Sequence, residues 1–381
     1  MSVTLRSLET AVPATALRQE EVRDLLAAQP DLSRLGKRLV STAFDASGIE
    51  RRYSALAEWE GPPADGEPVF FEAGTGRFLN PTTGTRNRVY ELEATALFTH
   101  VASQALDAAE GIAAADVTHV ITVSCTGFFA PGPDYRIVRA LDLDPATQRY
   151  HLGFMGCYAA LPALRQAQTI CRADPDAVVL VVTVELCTLH VRTSNDPDTI
   201  VGSSLFGDGA AAAVVTGRDL PSSTPVLQLD HFETVLTPVG EEAMAWNIGD
   251  HGFEMVLGTY VPHIIDEHIT GALVPLFAHE PELAERPHRE IEHWAIHPGG
   301  RSILDKVEAK LELDPAQLVP ARETLRDYGN MSSATVMFVL QKILHAAAPD
   351  TRERVCTMAF GPGLTVETGL LTAHGAPTSD P

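Results

Sequence analysis

The sequence contains few positive charges and very few lysines. Its 381 residues include 28 lysines and arginines against 50 aspartates and glutamates, and only four of the basic residues are lysine. The formal net charge of −22 argues against nucleic acid or an anionic membrane as partner, because both would repel the chain as a whole. A net value of this kind does not exclude a local basic patch.

Long apolar runs and metal-binding cysteine spacings are also missing. The longest apolar runs, such as AVVLVVTVELC at residues 177–187, have the length of a strand and fall short of a membrane span. The first 22 residues lack the basic head and apolar stretch of a signal peptide. The cysteines are Cys125, Cys157, Cys171, Cys187 and Cys356, and none forms a CxxC pair. We therefore predict a cytoplasmic protein with reduced cysteines, no membrane insertion and no metal site.

The sequence does contain an alternation of helical and strand patterns. A helical pattern at residues 90–109 precedes an apolar strand pattern at 117–125, and further strand patterns lie at 177–186 and 210–217. Because each strand pattern is almost entirely apolar, helices should cover both faces of the sheet, which predicts an α/β fold. The segment 58–91, rich in Gly, Pro and Thr, is predicted to be an irregular surface excursion.

A joint with the sequence GRDLPSSTP, at residues 217–225, separates two parts that echo each other. The echoes are FGDGAAAAVV (206–215) with FGPGLTVETGLL (360–371), and GCYAALPALRQ (156–166) with GNMSSATVMFVLQ (329–341). Two echoes in the same order on both sides of a joint indicate an internal duplication. We predict two halves, at residues 1–219 and 220–381.

Cys157 lies where the apolar segment 151–171 turns into a helix. A thiol at a helix N-terminus faces unpaired N–H groups and the positive end of the helix dipole, and both favour the thiolate. Since a proline breaks a helix interior, Pro162 places the expected helix start near Ala159, with Cys157 at its mouth. This segment alone is equally compatible with a small buried cysteine that has no chemical role.

Two polar residues of the second half change that balance. His297 follows a short apolar strand and precedes a Pro-Gly-Gly turn, where a ligand can approach the backbone. Asn330 opens a helix at the position that Cys157 takes in the first half. A lone histidine is more often structural, but Cys, His and Asn together suggest thiolate chemistry on an acyl group.

Six ordered motifs carry a resemblance to the type III polyketide synthases, the chalcone synthase superfamily, over about residues 5–372. The motifs are SGIERRY (47–53), GFMGCYAAL (153–161), LFGDGAAA (205–212), HPGG (297–300), YGNMSSAT (328–335) and FGPGLTVE (360–367). The resemblance implies a thiolase-like five-layered αβαβα fold with two pseudo-duplicated halves. It also implies that Cys157 is the nucleophile and that His297 and Asn330 complete a catalytic triad.

The resemblance further assigns the substrate cavity and the CoA contacts. Phe206 matches the gatekeeper phenylalanine between the CoA tunnel and the cavity. The other cavity positions are Cys125, Cys187, His190, Trp246, Met255 and Ser332. Plant members place basic side chains for the CoA phosphates where this chain has Leu39, Thr42 and Ala46. The remaining candidates for CoA contacts are Lys37, Arg38, Arg51, Gly299, Gly300 and Arg301.

By this resemblance the chain is an acyltransferase of the EC 2.3.1 class that condenses malonyl-CoA with an acyl group held on Cys157. Cys125, Cys187 and Met255 make the cavity lining more apolar than in plant members, whereas the bulk of Trp246 shortens it. We therefore predict an alkylpyrone or alkylresorcinol made from a fatty acyl-CoA. CoA thioesters are substrates, no cofactor is expected, and the expected assembly is a homodimer.

Several alternatives stay open at this point. Tetrahydroxynaphthalene synthases use malonyl-CoA alone, and bacterial enzymes of that kind carry a cysteine where Cys125 lies. The ketoacyl carrier-protein synthase III of fatty acid synthesis also uses Cys, His and Asn, although the FGPGLTVE ending is more like the polyketide branch. A cysteine thioester hydrolase would release CoA from the starter without evolving CO₂. A silent acyl-CoA-binding protein would do neither.

Overall fold

The computed structural model describes residues 2–63, 66–258 and 260–378. The strands are β1 Val3–Ala11, β2 Thr15–Arg18, β3 Arg51–Ser54, β4 Phe71–Glu72, β5 Arg77–Phe78, β6 His119–Ser124, β7 Gln148–Gly153, β8 Val178–Leu186, β9 Asp208–Thr216, β10 Val226–Leu236, β11 Met244–Gly249, β12 Gly252–Leu257, β13 His293–Ile296, β14 Arg352–Gly361 and β15 Thr365–His374. The helices are α1 Gln19–Ala27, α2 Arg34–Ala46, α3 Thr83–Ala108, α4 Pro133–Ala140, α5 Ala160–Ala173, α6 Pro197–Leu205, α7 Val261–Phe277, α8 Pro281–Ala284, α9 Arg301–Leu311, α10 Val319–Tyr328 and α11 Thr335–Ala346.

Nine strands are hydrogen-bonded in the order β13-β14-β15-β10-β1-β9-β8-β6-β7. Along β6-β8-β9-β1 the successive pairs are parallel, antiparallel and antiparallel. The pairs along β13-β14-β15-β10 follow the same pattern. The two sets meet where β1 pairs with β10, over Val3–Leu5 and Leu227–Leu229. One pattern of strand pairing therefore occurs twice in the chain.

Helices lie on both faces of the first strand set and also between the two sets. Along β8, Val179 and Val181 pack in one core cluster with Leu164 of α5, whereas Leu180 packs in another with Phe98 of α3. Because successive strand residues point to opposite faces, α3 and α5 cover opposite faces of the first set. Helices α5 and α11 contact strands of both sets, and α7 packs on β10 and β15 of the second. The layers run α3, first strand set, α5 with α11, second strand set, α7, and the five-layered αβαβα fold is confirmed.

The strand patterns at 117–125, 177–186 and 210–217 are confirmed as β6, β8 and β9. The prediction of an irregular excursion over residues 58–91 is wrong at its C-terminal end. Helix α3 begins at Thr83, so the helix predicted at 90–109 starts earlier than expected. The physical reason is a cap: the Thr82 side chain accepts a hydrogen bond from the Thr85 N–H at 3.3 Å. Residues 64 and 65 of the excursion lie outside the described residues.

The start predicted for the Cys157 helix is confirmed, because α5 begins at Ala160. Pro162 is the third residue of α5, within the first turn, where the missing N–H has no helical partner to lose. In the described part of the chain no helix combines the length and apolar character needed to cross a bilayer.

Truncation of the central layer should destabilise the protein strongly. Leu164 of α5 is fully buried between the two strand sets, so Leu164→Ala should lower the free energy of unfolding by about 2–5 kcal/mol. Thr169→Ala, at an exposed position of the same helix, should change it by about 0.5 kcal/mol or less. Urea unfolding of both variants measures the difference, and equal losses would show that α5 does not occupy the core layer.

Candidate active site

The turn before α5 presents Cys157 at the helix mouth. Gly156 has a φ of +83°, and a Cβ at this position would lie 2.7 Å from Cδ of Pro362. A side chain is therefore excluded here both by conformation and by space. The Ala159 N–H donates to the Gly156 carbonyl at 3.1 Å, which closes the turn around the cysteine before α5 begins.

His297 lies just after β13, on the wall of the same cavity as Cys157. Its backbone N–H donates to the Met358 carbonyl at 2.8 Å, which extends the pairing of β13 with β14 by one residue. Its side chain is 1% exposed, and neither ring nitrogen has a hydrogen-bond partner among the described residues. Buried polar atoms are normally paired, so this imidazole is available to a ligand. Burial lowers the pKa of His297 to about 3.

The backbone of Asn330 is fixed by the segment that precedes β9. The Asn330 N–H donates to the Leu205 carbonyl at 2.9 Å, and the Gly207 N–H donates to the Asn330 carbonyl at 3.0 Å. Gly329 has a φ of +71°, and a Cβ there would lie 2.9 Å from the Leu205 carbonyl oxygen. The start of the second-half helical region is therefore bonded directly to a first-half segment.

The side-chain amide of Asn330 is oriented by its own neighbours. Its Oδ1 accepts from the Ser332 N–H at 2.8 Å, while its Nδ2 donates to the Gly299 carbonyl at 3.3 Å. Nδ2 also lies 4.0 Å from Sγ of Cys157. Oδ1, which accepts from Ser332, lies 3.9 Å from the same Sγ, and the N–H of Nδ2 that Gly299 does not use is left to serve a ligand next to the thiol.

Cys157, His297 and Asn330 line one cavity of about 50 Å³ whose walls are mostly apolar. The predicted cavity residues that line it with them are Cys125, Cys187, Phe206, Trp246, Met255 and Ser332. His190 lies instead in a neighbouring cavity of about 40 Å³. The structure thus brings together nine of the ten residues predicted for the triad and the cavity, and it places the tenth next to them.

The protonation of the cysteine is governed by burial. Burial raises the pKa of Cys157 to about 11, although hydrogen bonding by Ser332 and Asn330 acts in the opposite direction. Since burial also keeps His297 neutral, the resting pair is a thiol beside a neutral imidazole. The helix mouth therefore does not by itself produce the thiolate that its position favours.

Glu185 is a buried carboxylate that the sequence reasoning missed. It is fully buried at the end of β8, and burial raises its pKa. Its Oε2 accepts from the Cys125 N–H at 2.9 Å, and its Oε1 accepts from the Ser333 hydroxyl at 2.6 Å. Sγ of Cys125 lies 3.3 Å from Oγ of Ser332, so the network reaches the cavity wall. A glutamate within the apolar run 177–187 was the available signal.

Arg52 was also missed, although it lies in the SGIERRY motif beside Arg51. It is 2% exposed, and its Nη1 donates to the carbonyls of Ser203 and Phe206, at 2.7 Å each. Its side chain also limits the space at Gly329, where a Cβ would lie 2.9 Å from Cγ of Arg52. A buried arginine thus fixes the segment that carries both Phe206 and the partner of Asn330.

A larger pocket of about 600 Å³ adjoins the cavity and shares Leu257, Gly299 and Ile303 with it. Of the residues predicted to contact CoA, it is lined by Gly299, Gly300 and Arg301. Lys37, Arg38 and Arg51 are not among its lining residues. Two basic residues that the sequence reasoning did not name, His263 and Lys306, also line it.

A thiolase-like α/β fold with a cysteine, a histidine and an asparagine around one apolar cavity defines an enzyme class that acts on acyl groups. Residues 2–219 match the family described as chalcone and stilbene synthases, N-terminal domain. Residues 228–374 match the corresponding C-terminal domain. The chain belongs to the chalcone and stilbene synthase family. It is a type III polyketide synthase, and therefore an acyltransferase of the EC 2.3.1 class.

Individual relatives agree with this assignment. The chain is 34% identical to type III polyketide synthase 10 of Oryza sativa subsp. japonica over 274 residues, which cover 69% of this chain and 67% of the relative. The crystal structure of PKS-I from the brown alga Ectocarpus siliculosus superposes with a TM-score of 0.88 at 26% identity, covering 97% of this chain and 98% of that one. The type III domain of Steely1, a type I/III hybrid from Dictyostelium, gives 0.87 at 25% identity over 99% and 100%.

The reactivity of Cys157 should depend on pH as expected for a buried neutral thiol. Its alkylation by iodoacetamide should keep accelerating from about pH 7 to about pH 10, because below its pKa a thiol gains about tenfold in thiolate per pH unit. Mass spectrometry of the labelled protein, with Cys157→Ala as the control, measures the rate at this site. A rate that is flat across this range would show that the thiolate is already present at rest.

Proposed function

We propose that Cys157 is the nucleophile of a decarboxylative condensation and that His297 and Asn330 are its catalytic partners. The observation that carries this proposal is the buried His297 ring, which lines the cavity with both nitrogens unpartnered among the described residues. Oriented N–H donors and an acceptor imidazole beside a thiol are what acyl transfer through a thioester requires. His297 takes the thiol proton as Cys157 attacks the acyl-CoA carbonyl, and it returns that proton to the departing CoA thiolate.

The second step uses the same donors on malonyl-CoA. Loss of CO₂ leaves the bonding electrons on the malonyl thioester as an enolate, whose oxygen accepts hydrogen bonds from Nδ2 of Asn330 and from His297. The enolate carbon then attacks the acyl group, and the Cys157 thiolate leaves. An oriented donor of this kind contributes about 3–4 kcal/mol to such a charged state. A closed apolar cavity strengthens the effect by excluding water.

Substitutions at Asn330 should separate decarboxylation from acyl loading. Asn330→Asp should lower malonyl decarboxylation by ~10²–10³, because the carboxylate supplies no N–H and repels the enolate. Asn330→Ala should lose a similar factor, while the transfer of a starter to Cys157, read by intact-protein mass, should persist in both variants. CO₂ release by Asn330→Asp at close to the normal rate would remove this residue from the mechanism.

We propose a fatty acyl starter and an alkylpyrone or alkylresorcinol product, because the thiols and thioethers along the cavity favour a flexible alkyl chain. A second candidate, tetrahydroxynaphthalene synthesis from malonyl-CoA alone, is supported by the cavity volume of about 50 Å³. Trp246 limits this volume, and its Nε1 donates to the Cys125 carbonyl at 2.8 Å, which fixes the ring in place.

A panel of acyl-CoAs, each supplied with malonyl-CoA, distinguishes the two products by mass spectrometry. Activity should rise with acyl length up to a medium chain, since each buried methylene contributes about 0.8 kcal/mol. Trp246→Ala should shift the optimum to longer starters, and Cys187→Phe should remove the longest ones while sparing acetyl-CoA. If no fatty acyl-CoA gives a product and malonyl-CoA alone is converted, the result would establish the tetrahydroxynaphthalene route.

We propose that CoA enters through the larger pocket, with Arg301 and Lys306 nearest its phosphates.

We also propose that the protein is a cytoplasmic homodimer. Each chain consists of two halves, residues 1–219 and 220–381. Strand β7 is supported as the dimer contact because it lies at one edge of the nine-stranded order and its neighbours Phe128 and Tyr135 are exposed. An open strand edge beside exposed aromatic rings is suited to pairing with a second copy.

A further inference from the structure

The cavity that contains His190 has a lining of a different character from the catalytic one. We call it the arginine pocket, and its polar lining residues are His190, Arg192, Thr199 and Ser203. It shares four wall residues with the catalytic cavity, namely Cys187, Phe206, Trp246 and Met255. One layer of side chains therefore separates a polar compartment from the site where the acyl group would be held.

Arg192 has unused hydrogen-bonding capacity in this pocket. Its side chain is 19% exposed, and the carboxylate nearest to it is that of Glu254, with 3.6 Å between Nη1 and Oε1. The Glu254 side chain is itself 53% exposed, so solvent weakens the attraction. Over the described ranges the Arg192 guanidinium donates no intramolecular hydrogen bond. Its donors are therefore available to a ligand that carries acceptors.

A second guanidinium lies nearby without a counter-charge. Arg86 is 1% exposed and donates to neutral acceptors, which include the carbonyls of Pro81 at 3.1 Å and Val191 at 3.3 Å. In the part of the chain that the structure describes, Arg86 forms no ion pair with a carboxylate. Burial, and then the charge of Arg192, lower the pKa of Arg86 to about 10. Arg86 does not line the pocket, but its charge acts on that of Arg192, so two guanidinium charges lie near one exposed carboxylate in a chain of net charge −22.

His190 does not alter this balance. Its Nε2 donates to the Thr126 carbonyl at 2.8 Å, and its Nδ1 accepts from the Phe253 N–H at 3.0 Å. Burial, together with the charges of Arg86 and Arg192, lowers the pKa of His190 to about 3. The imidazole is neutral and fully bonded, and the excess positive charge belongs to the two arginines.

The partition between the two cavities contains one adaptable side chain. Met255 is unbranched, and it lies opposite Gly202, where a Cβ would approach its Sδ to 3.7 Å. A rotamer change of Met255 can therefore open the partition beside a residue that has no side chain of its own. The opening would join an apolar segment next to Cys157 with a cationic compartment beyond it.

We propose that the arginine pocket binds the terminal carboxylate of an acyl chain attached to Cys157, with Arg192 as its direct partner. This rests on the proposed function, in which Cys157 carries the acyl group. The methylenes lie in the apolar cavity, and the carboxylate accepts hydrogen bonds from the guanidinium in a planar, two-point contact. Two sources supply an acyl chain with a terminal carboxylate. One is a dicarboxylic acyl-CoA starter, and the other is a chain begun on a malonyl unit that keeps its carboxylate.

Matched starters test the proposal on the purified enzyme. Hexanoyl-CoA is compared with adipoyl-CoA, and octanoyl-CoA with suberoyl-CoA, each with malonyl-CoA, and malonyl-CoA alone forms a separate arm. A dicarboxylic source predicts kcat/KM at least about tenfold higher for one diacid than for its monoacid partner, and Arg192→Met should abolish that preference while sparing the monoacid. A malonyl source predicts an Arg192-dependent loss of at least about tenfold in the malonyl-only arm alone.

Three further variants sharpen the test, and the last of them controls for general damage. Glu254→Gln removes the competing carboxylate and should increase the response to a terminal carboxylate, and Arg192→Lys should retain part of it. Arg289→Met, at an exposed arginine away from both cavities and from β7, should change nothing. An Arg192→Met enzyme that is unaltered in every arm, or equally slowed with monoacids and diacids, would overturn the proposal.

The mass of the acyl-enzyme distinguishes a failure of the arginine-pocket proposal from a failure of the proposed function of Cys157. If Cys157 is acylated by starters but no arm responds to Arg192→Met, the arginine pocket is wrong and the proposed function stands. If no starter or malonyl unit ever appears on Cys157, both are wrong.

Discussion

Two main-chain hydrogen bonds between Asn330 and the segment 205–207 hold the candidate site together. They bond the turn that carries Asn330, in the second half, to the approach of β9 in the first half. The bonds require close contact between the two backbones, and Gly207 and Gly329 permit it. A Cβ at Gly207 would lie 2.8 Å from the Tyr328 carbonyl oxygen. A Cβ at Gly329 would lie 2.9 Å both from the Leu205 carbonyl oxygen and from Cγ of Arg52.

Arg52 stabilises the contact between Asn330 and the segment 205–207. Burying a guanidinium is unfavourable unless its donors are satisfied. Here Nη1 donates to two carbonyls of the segment that carries Phe206, whereas Nε has no partner among the described residues. The charge of Asp208 partly offsets the cost, since it opposes the lowering of the pKa of Arg52 that burial causes. The ring at the cavity wall and the amide beside the thiol therefore share one support. Movement of either one would disturb the other.

The sequence was informative wherever a residue acts through its place along the chain. The glycine before Cys157, the turn after His297 and the start of α5 were all readable from local pattern, and six motifs indicated the family and the five layers. The roles of Glu185 and Arg52 were not readable, although a glutamate in an apolar run and an arginine in a motif marked the two positions, because their partners lie far away in the chain. The N-terminus of α3 was misread since its capping threonines resemble a loop.

The lining of the two cavities determines the protonation of the site and the kind of chain that fits it. Around Cys157 the walls are apolar, so burial keeps both the thiol and His297 neutral until a substrate arrives. In such surroundings a charge formed next to the thiol is screened little, so the free N–H of Asn330 acts on it more strongly than it would in water. Beyond Met255 the lining becomes polar, because Arg192 lies on the wall there and its neighbouring carboxylate, that of Glu254, is exposed. In the proposed mechanism, an acyl chain held on Cys157 would meet an apolar surface first and Arg192 afterwards, an order that suits an alkyl chain with a polar end better than a uniformly apolar one.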